Sequence, residues 1–451
     1  MTIRFFCRPV LLLVLMLVGV TSRMTFAQSM RVITFDDAVK TALAQSNVIR
    51  LAKNANDLTD ATVRQARAQF LPDFRVSTQG AQNYGRFFST DEGKILNTQT
   101  QSFSTGLSSS LVLFNGMANK LNVSAAKANR EASEYDLSRT RETVVFTVLS
   151  NYLTLIEQQE QLRVSRQSLA AQDTLERQVQ EFVNAGTRSI ADLYQQQAGV
   201  ASGRLAVVQG ERAVELAKVD LIQTLKLDPA GTYEFQFPPV DSSASTRPLD
   251  VNALVSRALQ QRRDVDAEQS RVNSAQRQVQ SAGATLWPTL SLSLGYNSSY
   301  ASSNQSSFLN QLDQRRGGSL GLSLSIPIFD RFSTRINSER AQIQQQNAEI
   351  ALDDVRQQVA LQVKRATLDY VSAGAQLDAA LAQTRAAELA LQAAQERYLA
   401  GAATLVEVTQ ARATSVQAAS ALVSARYNLL FQGKLLDYYV GDLDPKSVRL
   451  N

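Results

Sequence analysis

Along most of the chain apolar residues return every three or four positions, and in two short regions they return every second position. The first pattern marks helices packed on neighbours and the second marks half-buried strands. The stretch 117–185 contains neither glycine nor proline, and Ala, Gln, Glu, Arg and Leu predominate. It predicts one continuous helix of about 100 Å. Its stripe includes Val145, Val148, Leu149, Tyr152, Leu155 and Ile156. The stretch 333–400 predicts a second such helix, without proline and with Gly374 as its one glycine. Many of its contact positions are alanines, among them Ala379, Ala380, Ala386 and Ala387. Small residues let helices approach closely but bury little area each, so their stabilisation has to accumulate along a long interface.

Shorter helices are predicted on either side of each long one. Gly186 and Gly401 supply left-handed caps that turn the chain back into helices over 190–227 and 405–436. Helices over 36–70 and 250–286 precede the long ones, opened by Asp36 and Asp37 after Thr34 and by Asp250 after Pro248. In the first half the two short helices, over 36–70 and 190–227, together come close to the length of the long one. Stacked end to end, they run its full height and predict a rod.

Pro72 and Pro288 end the upstream helices, and period-two alternation follows. Leu290, Leu292, Leu294 and Tyr296 alternate with Ser291, Ser293 and Gly295. Leu320, Leu322, Leu324, Ile326 and Ile328 alternate with Gly321, Ser323, Ser325 and Pro327. The first half repeats this less cleanly over 74–79 and 103–113, with long polar loops expected over 81–102 and 297–319. One apolar face, one small polar face and long outer loops fit the wall of an outer-membrane barrel. Aromatics stand near both strand ends: Phe74, Phe114, Trp287 and Phe329 at one, Tyr84, Phe87, Phe88, Tyr296, Tyr300 and Phe308 at the other. That placement is compatible with interfacial girdles. A soluble four-stranded sheet covering a helix shows the same alternation. Four strands cannot close a barrel, since the smallest have about eight, so a barrel requires several copies of the chain.

These landmarks recur in one register. Leu71-Pro72 returns as Trp287-Pro288, Phe114 as Phe329, and Glu181–Gly186 as Glu396–Gly401, each displaced by nearly the same interval along the chain. The chain therefore reads as two copies of one unit, over 28–230 and 249–451, joined by a Pro- and Ser-rich linker over 231–248.

The segment 1–27 carries Arg4 and Arg8, an apolar run over 10–20 and a small-residue exit at Ala27, the pattern of a cleaved secretory signal. Cys7, the one cysteine, falls inside it. Losing Arg4, Arg8 and Arg23 lowers the formal charge by three, from +5 to +2, and no basic stripe remains to suggest nucleic-acid binding. Histidine is absent. That removes the usual general base and the commonest zinc ligand, so triad and metal-hydrolase chemistry are disfavoured. No enzyme, cofactor or metal site is expected, and only Met30 and Met117 would remain as soft-metal ligands.

The hairpin tips carry the closest resemblance. Ala185-Gly186-Thr187-Arg188-Ser189-Ile190-Ala191-Asp192 and Ala400-Gly401-Ala402-Ala403-Thr404-Leu405-Val406-Glu407, on this duplicated plan, resemble the TolC-like outer-membrane efflux proteins. The resemblance spans essentially all of the chain after the signal. It implies a mainly α protein with a β-barrel contribution: a homotrimeric periplasmic α-barrel continuous with a 12-stranded outer-membrane β-barrel. Such a passive duct meets a periplasmic adaptor and an inner-membrane pump. The resemblance also implies a periplasmic gate. Tyr398 matches its aromatic, Asp192 and Glu407 its carboxylates, and Gly186 and Gly401 the turns facing the adaptor. The position where an arginine is expected after the second turn is Ala403, while Arg188 holds that place in the first copy. An expected second acid is Gln410.

A symmetry-repeated carboxylate would ring a narrow pore with like charge. Equally, Asp192 and Glu407 suit the first turn of the returning helices, where the dipole favours acids. Two other readings of the whole chain are an exported coiled-coil spacer without a pore and a receptor that binds ligands through its long loops.

Overall fold

The computed structural model describes residues 31–89, 93–236, 249–304 and 306–443. The signal expected over 1–27 and the greater part of the linker expected over 231–248 lie outside the described residues.

The first half runs β1 (Arg31–Ile33), α1 (Phe35–Gln45), α2 (Asn47–Ala68), β2 (Arg75–Ser89), β3 (Lys94–Asn115), α3 (Ala118–Asn184) and α4 (Ile190–Leu225). After β4 (Tyr233–Phe235) the second half runs α5 (Val251–Gln261), α6 (Arg263–Gly283), β5 (Thr289–Ala301), α7 (Phe308–Gln314), β6 (Gly317–Ser325), α8 (Ser333–Leu399) and α9 (Leu405–Val440). The two long helices have 67 residues each and the returning helices 36 each, so the duplication shows in the lengths.

The rods are built as the lengths predict. α2 packs on the first part of α3, where Arg130 meets Asp60 at 3.2 Å. α4 packs on the remainder, where Arg166 meets Glu211 at 2.8 Å and Gln196 donates to Gln172 O at 3.0 Å. α6 lies against both α3 and α8 and ties the halves together.

Three expectations need correction. Each upstream helix is broken, at Ser46 and at Arg262, by extended backbone (ψ 122° and 126°) at equivalent positions of the two halves. Arg262 is buried; it forks onto Asp264, with Nε 3.0 Å from Oδ1, and reaches Gln362 Oε1 at 2.7 Å. Burial alone would raise the Asp264 carboxyl, but Arg262 holds it below the usual range. The break thus places a paired charge where a continuous helix would run, which residue propensities do not reveal. Second, the expected loop over 81–102 is mainly strand: β2 and β3 pair from Arg75↔Ser108 to Ser89↔Lys94. Its polar residues concealed the strands, because a hairpin wet on both faces shows no hydrophobic alternation. Third, β4 lies inside the expected linker and pairs in parallel with β1, Arg31 opposite Tyr233.

That small sheet seats the largest core. Tyr152, fully buried on α3, donates its hydroxyl to Gln236 O at 2.6 Å, with Ile33 O at 3.2 Å. Phe35 and Phe235 meet its ring edge-on at centroid distances of 5.4 and 6.1 Å. Burial, with Asp37 nearby, pushes this phenol well above the ordinary tyrosine value.

The larger sheet is antiparallel, ordered β2-β3-β5-β6, with β2 and β6 as open edges. Leu111↔Leu292↔Leu322 and Leu290↔Leu324 stack across it. Leu320, Leu322 and Leu324 are 71%, 67% and 61% exposed, so none of the described residues covers this face. On the other face Ser110, Ser293 and Gly321 line up. At the junction of β3 and α3, Gly116 (φ +64°) passes so close to the turn between α6 and β5 that an added Cβ would collide with Ala284 O and lie 2.6 Å from Trp287 Cβ. Its counterpart in the second half is Arg331, which adopts φ 56°. Among the described residues no helix is long and apolar enough to cross a membrane.

Candidate functional site

The far ends of the rods, where α3 turns into α4 and α8 into α9, bring the sequence-selected residues together. Both turns use one backbone solution. Gly186 N donates to Val183 O at 2.9 Å and Thr187 N to Phe182 O at 2.9 Å. Gly401 N donates to Tyr398 O at 3.0 Å and Ala402 N to Arg397 O at 2.8 Å. These bonds satisfy carbonyls that the helix ends would leave orphaned. Gly186 and Gly401 adopt φ of +72° and +77°, with open space around each, so conformation and not crowding requires glycine.

The side chains differ between the tips. Tyr398 is 1% exposed and packs with Leu175 and Val179 of α3, Leu193 of α4 and Leu405 and Val408 of α9. Arg188, from the other tip, lies over its ring with the guanidinium carbon 4.3 Å from the centroid. Arg188 Nη2 also donates to Tyr398 O at 2.9 Å. The first hairpin thereby holds the second through a cation–π contact and a charge-assisted hydrogen bond. Burial raises the Tyr398 phenol above its ordinary pKa; Arg188 opposes this shift and Asp192 adds to it. The phenolic oxygen is buried without a hydrogen-bond partner.

Ala403, which stands where the resemblance led one to expect an arginine, is buried in this same cluster. Asp192 occupies the first turn of α4 behind the Ser189 cap, whose Oγ accepts from Ala191 N at 3.1 Å. Glu407 closes a capping box with Thr404: each side chain accepts from the other's backbone N–H at 3.3 Å. Its second oxygen pairs with Arg397 Nη1 at 3.4 Å. Gln410 is exposed. Sequence reasoning passed over two residues. Arg397 is a basic residue in the last turn of α8, within reach of the returning helix. Arg412 was the clearer signal, since it continues the buried stripe of Leu405 and Val408 with a charge.

Among the described residues no group of three His, Cys, Asp or Glu side chains could hold a metal ion. What the molecule offers is a pair of long helical hairpins beneath an apolar sheet face with two free edges. That is the build of an efflux channel subunit seated in an outer membrane and reaching into the periplasm. The chain belongs to the outer membrane efflux protein family, whose profile matches it twice, over residues 38–225 and 254–441. It is 28% identical to the pyoverdine export outer membrane protein OpmQ of Pseudomonas aeruginosa, over 84% of this chain and 80% of that one. It is 26% identical to the cation efflux system protein CusC of Escherichia coli, over 87% and 84%. Among solved structures it superposes on CusC with a TM-score of 0.78 at 21% identity (90% and 92% covered), and on VceC of Vibrio cholerae with 0.75 at 17% (90% and 96%). The protein is thus a TolC-like outer-membrane efflux channel, and such channels are not enzymes.

Proposed function

We propose that three copies of this chain assemble into one duct: a twelve-stranded barrel in the outer membrane above a helical barrel in the periplasm. The observation that carries this reading is the four-stranded sheet, which has open edges at β2 and β6 and an uncovered leucine face. In lipid every backbone group must be paired, so β6 of one copy joins β2 of the next until the wall closes. Two copies would give eight strands and three give twelve; kinship with the TolC-like channels, not strand arithmetic, selects three. The units over 28–230 and 249–451 then contribute equally to wall and rod, joined through 231–248.

At the opposite end the tips form the periplasmic gate and the docking surface. The Arg188–Tyr398 contact, buried inside each copy, latches the two hairpins that narrow the entrance, with Asp192 and Glu407 supplying carboxylates around it. The exposed turns at Gly186 and Gly401 meet a periplasmic adaptor, which links the duct to an inner-membrane pump. OpmQ and CusC are named for different cargoes, pyoverdine and cations, at similar distances from this chain. Kinship therefore does not assign a cargo.

Single-channel conductance in planar bilayers, with the mass of the detergent-solubilised assembly measured in parallel, tests the duct. A trimer with stable currents is expected, and a water-soluble monomer without conductance refutes it. Arg188→Ala should raise the current by loosening the gate; an unchanged current removes the gate assignment and leaves the duct intact. Bulky replacements at Gly186 or Gly401 should abolish efflux in cells while trimers still form.

A further inference from the structure

The core just behind the tips holds a cation that neither duct nor gate employs. Arg412 of α9 is 8% exposed, and its Nε and Nη1 atoms have no hydrogen-bond partner. It lines a cavity of about 300 Å3 together with Tyr398, whose hydroxyl is likewise buried and unpartnered. It also lines an adjoining cavity of about 410 Å3, where Gln172 Oε1 has no donor. Turning that amide over would present its NH2 group instead and let Oε1 accept from Ser168 Oγ, which the amide nitrogen now meets at 3.3 Å. Among the described residues no aspartate or glutamate lines either cavity.

Burial lowers the Arg412 pKa. A guanidinium nevertheless stays protonated at neutral pH, so its buried Nε and Nη1 keep a positive charge that attracts an anion. A desolvated charge without a counter-charge is strongly destabilising. One cavity is lined by α3, α8 and α9 and the other by α3, α4 and α9, all of a single copy, so a small ion can meet Arg412 there without a residue from a neighbour.

We propose that Arg412 and the Tyr398 hydroxyl form a buried binding site for one small inorganic anion of the halide class, bridging α8 to α9. The proposal does not depend on Tyr398 acting as a gate. The bound anion completes the polar shell that the protomer leaves open, so rigidity of the tip depends on the anion present.

The test uses the full assembly in detergent, in sodium bromide and in sodium gluconate at equal ionic strength, gluconate being too large to enter. Crystals grown in bromide should show one anomalous peak per chain between Tyr398 and Arg412. Amides of 398–412 should exchange several-fold more slowly in bromide. Arg412→Met, apolar and of similar length, should abolish both effects while trimers persist. Should that variant fail to assemble, Tyr398→Phe keeps the packing, removes one donor and should lower bromide occupancy. Absence of the peak, an Arg412 paired with a carboxylate of a neighbouring copy, or identical exchange in the two salts overturns the site.

Discussion

The two hairpin tips share a backbone and divide the chemistry. Each ends a 67-residue helix on a left-handed glycine with the same pair of carbonyl-capping bonds. Yet Tyr398 in the second tip corresponds to Val183 in the first, and Arg188 in the first corresponds to Ala403 in the second. A stacked Arg–Tyr pair needs only one of each, so one copy keeps the cation and the other the ring. Duplication supplied two equivalent scaffolds, and divergence made them complementary halves of one contact.

Truncating the paired positions should separate the halves most sharply. Tyr398→Ala removes a fully buried aromatic and should cost about 3–5 kcal/mol of local stability, whereas Val183→Ala, half-buried in the same cluster, should cost only about 1 kcal/mol. Hydrogen exchange at 186–192 and 401–407 reads both, and equal losses would dissolve the asymmetry. Next in size, Arg188→Ala should cost about 1–2 kcal/mol and loosen both tips together, since the contact spans them. Arg188→Lys should not restore it, because an ammonium lacks the planar fork; full rescue would reduce the contact to simple charge.

The shared backbone predicts a smaller and symmetric effect. Gly186→Ala and Gly401→Ala should each cost about 1 kcal/mol, through positive φ alone, and thermal melting of the assemblies should shift alike. Unequal shifts would show that the scaffolds have diverged as well. Least of all, Glu407→Gln keeps a capping-box acceptor and loses only a half-exposed ion pair with Arg397, for less than about 0.5 kcal/mol. Asp192 has no capping box, so Asp192→Asn should act through the helix dipole alone and respond to salt.

Much of this was legible in residue order. The long helices were bounded almost to the residue at either end, because uninterrupted helix formers and terminal glycines act locally. The leucine strands announced themselves by alternation. The outer half of the β2–β3 hairpin did not, because polar residues on both faces erase the period, and cross-strand pairing alone extends it. Arg262 broke a helix that propensity favoured, since a buried guanidinium bonded to Asp264 and Gln362 outweighs a few tenths of a kcal/mol per residue; nothing in the structure explains the equivalent break at Ser46.

At the tips turn chemistry in the sequence selected the two glycines and the first-turn acids Asp192 and Glu407, because it is local, while Tyr398 and Arg188 were picked out by the resemblance to the TolC-like proteins. Only the tertiary structure decided how they are used: Arg188 crosses to the other hairpin, Glu407 caps its own helix, Ala403 fills the core, and Arg412 is shut in with the Tyr398 phenol. Helix and strand follow from interactions between near neighbours in the chain. A contact between residues 210 positions apart, such as Arg188 with Tyr398, depends on how two rods are aligned along their whole length, and that alignment is a sum over packing that no single segment contains.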